Sequence, residues 1–441
     1  MIEAGARLRR TAWTGQGGIA PLGALAVALL TVAVGQWIKA AGGHVGVSFP
    51  PFYAHWYPYV GALAPVAVLV LASAAAAGPV VLRRVRSPAL FGATLYVMTL
   101  ALGVSLSASR GGVHDLWAVF KVGPGGSLEA YQEYLPGLAH LARGVHFYVS
   151  RFPYLIPVLP IHVKGNSPGP LVALHLLGIH TPQALAALCV GLGSLTAPLA
   201  YDLGRTVGGE ERGRLAGVLT AFSPALLVWG FTSVDYAFAS LGLAAACLLV
   251  RRRPAAQASG ALLAAFATFF SWLLFAIPAW AAIVVLRREG PRRALTVVAV
   301  CAVALVAVYV ALAVALGYDP IATADATGAA YRHGIARMRP YSYWLFASPA
   351  AWWLGLGIPI AWLAVRAAAL RDATAVALFA VIVVSAVLGL TKAETERIWL
   401  PFVPLACVAA SALLPARRLP VVLWLLVAQT LAVQMLFDTV W

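Results

Sequence analysis

Residues 294–316 read Ala-Leu-Thr-Val-Val-Ala-Val-Cys-Ala-Val-Ala-Leu-Val-Ala-Val-Tyr-Val-Ala-Leu-Ala-Val-Ala-Leu, with Arg292 and Arg293 before them and Gly317-Tyr318-Asp319-Pro320 after. No charge interrupts the run. A helix needs about 20 mostly apolar residues to cross the hydrocarbon core, so this stretch has the length of a bilayer span. The rest of the chain repeats the pattern. Of its 441 residues 62% are hydrophobic and only 10% charged, and mean hydropathy is +0.87. A soluble protein carries about a quarter charged residues. The composition excludes a soluble enzyme, a disordered chain and a disulfide-stapled secreted domain.

Similar runs give about thirteen spans (range 11–14), near 19–38, 60–82, 87–107, 183–201, 213–232, 236–250, 258–270, 273–286, 294–316, 342–365, 373–390, 399–415 and 419–438. The expected fold is an all-α polytopic membrane protein forming one integrated domain. Three helices occupy 1–107, a long external loop with interfacial helices 108–182, and the main bundle 183–441. Short cytoplasmic loops concentrate Arg and Lys, which sets the topology. With Arg7, Arg9 and Arg10 inside, Arg83/84/86, Arg205/212/214, Arg251/252/253, Arg287/288/292/293, Arg366/371 and Arg417/418 also fall inside. This holds only if 260–286 is a two-helix hairpin. The net charge of +16 then divides into 20 basic and 6 acidic residues inside, against 11 and 9 outside. Most of it is orientation signal, and nucleic-acid binding loses its motivation.

The 27 Arg against 4 Lys reflect a GC-rich bacterial composition. The first span lacks a small-residue cleavage site and reads as an anchored helix. Cys189, Cys247, Cys301 and Cys407 fall within spans, without metal-ligand spacing. Few charges lie mid-span, which counts against an ion-coupled transporter. All nine histidines and the carboxylates Asp115, Glu129, Glu133, Asp235, Asp319, Asp325, Glu394, Glu396 and Asp438 fall on the external side. Histidine and carboxylate are the usual proton-transfer groups, so the site is expected there.

The 108–181 loop is the most informative segment. A glycine turn places His114 and Asp115 just beyond a helix end. Ser127 caps an amphipathic segment over 127–143, with Leu128, Tyr131, Leu135 and Leu138 at helical spacing and Pro136 dividing it. His162 and Lys164 open a Pro/Gly-rich return. Three further external elements carry Asp235, the group Tyr331-Arg332-His333 with Arg337 and Arg339, and the stretch Thr391-Lys-Ala-Glu-Thr-Glu-Arg-Ile-Trp-Leu-Pro-Phe. They offer carboxylates as bases and cations for a phosphate.

The segments Glu133-Tyr-Leu-Pro, His162-Val-Lys-Gly-Asn-Ser-Pro-Gly-Pro, Ser223-Pro with Asp235, and Glu394-Thr-Glu-Arg-Ile-Trp-Leu-Pro, set in this many-spanned architecture, resemble the GT-C superfamily of integral-membrane glycosyltransferases over roughly 87–415. The similarity is greatest to actinobacterial members acting on the cell envelope. The resemblance implies a polyprenyl-phosphate-linked sugar donor, a glycan or lipid acceptor at the external face of the plasma membrane, and inverting displacement. It also implies a catalytic carboxylate in the first long external loop, soon after a span, which points to Asp115 with Glu133 second. In many members that loop follows the first helix. Here 41–59 holds no carboxylate, and two additional N-terminal helices account for the offset. Arg397, with Lys392 or Arg332, would hold the donor phosphate. His114, His162, Lys164, Asp235, Glu394, Glu396 and His333 would complete the substrate site. Carboxylates and histidines could ligate a divalent metal, but no spacing demands one. The alternative reading is a non-enzymatic carrier or flippase for a lipid-linked envelope precursor.

Overall fold

The computed structural model describes residues 18–440. It is 76% helical, with almost no sheet. Among the described residues six helices are long and apolar enough to cross a membrane: Ile19–Ala40, Ala64–Arg84, Pro88–Ser107, Pro182–Gly208, Pro291–Leu316 and Ala416–Leu436. A seventh span arises if Tyr341–Leu356 and Ile358–Ala369 count together. The architecture fits an all-α membrane protein. The stretch 294–316 lies inside a 26-residue helix with much of its surface outward; Val314 is 83% exposed, as on a lipid-facing helix. Gly317 ends it in the left-handed region at φ +66°, where a side chain would be strained.

Helices occur at the other expected positions, but several are short. Val234–Leu249, Ala373–Leu388 and Leu400–Ser411 have 10–17 residues each. The last is enclosed by protein, with every residue from Val403 to Ala410 fully buried. A helix surrounded by other helices need not match the bilayer, because its neighbours supply the apolar solvent. The expected single helix over 342–365 is instead bent by 118° at Gly357, whose φ of +108° interrupts the turn.

The hairpin expected over 260–286 is present as two helices, Pro254–Thr268 and Ala276–Glu289, joined through a 3₁₀ turn at Trp272–Phe275. Arg252, before the first helix, meets Glu289 at the end of the second at 3.2 Å. Basic clusters gather accordingly at one end of the bundle. Arg214 donates to the carbonyls of Leu82, Val85 and Arg86, Asp202 bridges Arg205 and Arg251, and Arg287 donates to the Arg371 carbonyl. Arg212 grips Asp372 with both terminal nitrogens at 3.0 Å. Arg7, Arg9 and Arg10 lie outside the described residues.

The 108–181 segment is packed against the opposite end. Ser127 caps its turn by accepting from the Glu129 N–H. Pro136 does divide the amphipathic stretch, into 3₁₀ turns at Leu128–Tyr131 and Leu135–Leu141. Leu128 is 88% exposed, as an interfacial residue would be. Tyr148, Val149 and Phe152 are fully buried beneath them. The Gly169 N–H donates to the Phe269 carbonyl at 3.0 Å, docking the segment on the hairpin tip. A Cβ at Gly169 would collide with that carbonyl. Gly169→Ala is therefore expected to destabilise the protein by roughly 1–3 kcal/mol, measured as a lowered thermal midpoint in detergent.

Candidate functional site

Four separate elements converge at the end opposite the basic clusters. The Asp235 carboxylate comes from the first turn of Val234–Leu249, whose start is capped by Ser233 accepting from the Asp235 N–H. His162 lies on the short Ile161–Lys164 helix, Arg339 follows the 3₁₀ turn Ile335–Met338, and Glu394 caps the short Thr395–Ile398 helix that carries Arg397. Glu394 occupies the left-handed region at φ +57°, a non-glycine position of the kind found at functional sites.

Arg397 is the hub. Its Nη1 donates to Asp235 Oδ2 at 2.5 Å, and its Nη2 reaches Glu394 Oε2 at 3.0 Å and His162 Nδ1 at 3.1 Å. Because guanidinium carries only donors, His162 Nδ1 accepts, leaving its ring hydrogen on Nε2 toward Glu129 Oε1 at 3.4 Å. Arg339 Nη2 holds the other Glu394 oxygen at 2.7 Å. Burial alone would raise the Glu394 pKa, but Arg339 and Arg397 outweigh it and hold the carboxyl down at about 2. Glu133 is buried close enough to act electrostatically on both His162 and Arg397. Asp235, Glu394 and Glu133 thus act together on Arg397, while Glu129 meets His162.

His162, Asp235, Arg339, Glu394 and Arg397 line a cavity of about 1390 Å³. One wall is apolar, built from Phe275, Ala279 and Ile283 on one side and Val381, Val384 and Leu388 on the other. Lys164, Arg332, His333, Arg337 and Lys392 also line it. Arg332, His333 and Arg337 are exposed and Lys164 half-buried. Lys392 is fixed by donating from Nζ to the carbonyls of Ala336 and Arg339, while Arg339 donates back to the Lys392 carbonyl. Arg332 and Lys392 share a smaller adjoining recess of about 320 Å³ with Tyr331, Tyr341, Leu388 and Leu390.

Most residues singled out in the sequence therefore meet at one place. Asp115 and His114 do not line the cavity. The Asp115 carboxylate accepts from the Gly111 N–H, and His114 Nδ1 lies 4.0 Å from it. Burial raises the Asp115 pKa, opposed by the Gly111 hydrogen bond and by His114. Its geometry is that of a group closing a turn. Glu133 stands behind the lining residues. Arg397, expected to hold the donor phosphate, lines the cavity while hydrogen-bonded to Asp235, Glu394 and His162. In the sequence Glu129 and Arg339 stand only among the external carboxylates and cations. No short motif marks either residue. Among the described residues no three His, Cys, Asp or Glu side chains come together as metal ligands would.

Glu396 faces away from the cavity. Its Oε1 accepts from the Tyr53 N–H at 2.7 Å, and its buried Oε2 has no hydrogen-bond partner among the described residues. Burial raises its pKa to about 7, from the usual 4.5. The fold thus prefers the protonated form, and stability falls as pH rises between those two values, by on the order of 3 kcal/mol. Glu396→Gln is expected to abolish that slope and raise the thermal midpoint at pH 8. Unfolding measured across pH 4.5–8 checks it.

No protein-family model matches the chain, and no curated protein matches it either.

Proposed function

We propose that this chain is a GT-C-type glycosyltransferase of the bacterial plasma membrane, moving a sugar from a polyprenyl-phosphate donor to an envelope glycan or lipid acceptor at the external face. The N-terminus is cytoplasmic in this reading, and the helices form about thirteen spans, several of them short and enclosed. One observation carries the proposal: a single cavity joins an apolar wall on bundle helices to a floor bearing Asp235, His162 and Arg397. Such a cavity suits a molecule that is part lipid and part polar. All its charged groups come from the end opposite the basic clusters, which supports an external site.

Asp235 is the best-placed general base. Arg397 and Ser233 occupy its Oδ2, while Oδ1 has no hydrogen-bond partner among the described residues. In the proposed step the acceptor hydroxyl oxygen attacks the anomeric carbon, Oδ1 takes the hydroxyl proton, and the bond to the lipid phosphate oxygen breaks. The bonding electron pair leaves with the phosphate. Arg332 and Lys392, in the recess beside Leu388, stabilise that charge where the apolar wall ends. Phosphate is a competent leaving group without a general acid. The test is transfer by purified protein supplied with polyprenyl-phosphate hexoses and pentoses. The reading stands if one donor is consumed in an Asp235-dependent way, and falls if none is.

A further inference from the structure

The cavity holds more positive charge than one lipid phosphate can use. Its lining carries six cationic side chains and two carboxylates, Asp235 and Glu394. Those carboxylates are taken by Arg397 and Arg339. Lys164, Arg332, Arg337 and Lys392 remain, none in an ion pair among the described residues. Glu133 acts on His162 and Arg397, and Glu129 meets His162. Asp319 caps its own helix through the Ile321 and Ala322 N–H groups, and Asp325 does not line the cavity.

The four cations fall into two sets. Arg332 and Lys392 line both the main cavity and the recess beside Leu388. Lys164 and Arg337 line the main cavity alone and come from two different segments, the 161–164 helix and the 335–338 turn. A phosphodiester carries a single charge, so an anion in the recess leaves Lys164 and Arg337 uncompensated. Exposed His333 lines the same cavity and adds a further donor.

We propose that the cavity binds two anions at once: the donor phosphate at Arg332 and Lys392, and a second phosphate group, borne by the acceptor, at Lys164 and Arg337. The acceptor is thus an anionic, phosphate-bearing molecule. This rests on the lipid-phosphate reading above and adds the acceptor's charge to it. Its phosphate could come from a lipid headgroup or from a phosphorylated glycan, which share the same recognition chemistry.

Direct binding separates these possibilities, using the full chain in phosphatidylcholine nanodiscs with decaprenyl phosphate and glycerol 3-phosphate as probes. Protein saturated with decaprenyl phosphate is expected to bind glycerol 3-phosphate still. Lys164→Gln with Arg337→Gln should weaken glycerol 3-phosphate about tenfold or more, and decaprenyl phosphate less than about threefold. Arg332→Gln should do the reverse. Unchanged thermal midpoints for these surface-facing variants exclude misfolding. Adding phosphatidylglycerol to the nanodisc should displace glycerol 3-phosphate if a lipid headgroup is the natural occupant, and leave it bound if a glycan phosphate is. Mutual exclusion of the two probes, or undiminished glycerol 3-phosphate binding by the double variant, overturns the two-anion cavity alone. Failure of the wild type to bind decaprenyl phosphate overturns the lipid-phosphate reading beneath it as well.

Discussion

Asp235→Asn is expected to slow glycosyl transfer by about 10²–10⁴-fold while leaving the protein folded. Asn has the shape of Asp and keeps an oxygen for the Arg397 Nη1 donor, so the hydrogen bond now at 2.5 Å has a replacement. Glu394 continues to neutralise Arg397 through its own 3.0 Å contact. What disappears is the capacity to take a proton. Glu394→Gln is the instructive comparison. Two guanidiniums hold Glu394 at about 2, so it is a poor base, and its loss should act mainly by loosening Arg339 and Arg397. Asp115→Asn should stay within about threefold of wild type, since turn-closing groups away from the reacting atoms contribute little to the barrier. The check is an initial-rate assay on the three purified variants beside their unfolding curves. An Asp235→Asn protein that keeps more than about a tenth of the wild-type rate would remove Asp235 as the base.

The contrast between Asp115 and Asp235 shows where sequence reasoning stops. The bundle ends were legible: Arg and Lys cluster between apolar runs because the membrane imposes a charge pattern on short loops. The contacts of Arg214, Arg252 and Arg287 bring those clusters together as expected. The hairpin over 260–286 was legible by the same argument. Helix lengths were not, because Leu400–Ser411 is solvated by protein and no longer obeys the bilayer rule. Local spacing cannot rank the carboxylates either. Asp115 follows a glycine turn and looks exposed, yet that turn folds back and uses the carboxylate itself. Asp235 occupies the first turn of a helix, where acid is favoured for electrostatic reasons alone. Only its 162-residue-distant contact with Arg397 marks it. Arg339 has the same character, a single basic residue whose meaning depends on Glu394 55 residues later.

Arg397→Ala is expected to have the largest effect on the protein as a whole, costing roughly 3–5 kcal/mol of stability and abolishing transfer. Arg397 is 4% exposed and is shared by Asp235, Glu394 and His162. Removing it leaves two buried carboxylates with one guanidinium between them, Arg339, which touches only Glu394. Burying charge without a partner costs far more than the pair contributes when intact, so the site must either take up protons or open. Both responses are measurable. Proton uptake predicts that Arg397→Ala recovers stability as pH falls toward 5, opposite to the wild-type contribution of Glu394. The wild-type carboxyl is held at about 2 against the usual 4.5, so its stabilisation is full above 4.5 and is lost as pH falls toward 2. Arg397→Lys separates charge from geometry. An ammonium restores one positive charge but cannot span Asp235, Glu394 and His162 with a rigid fork, so the lysine variant should regain much of the stability and little of the rate. A lysine variant that recovers both equally would show that Arg397 supplies charge alone, with no positioning of the base.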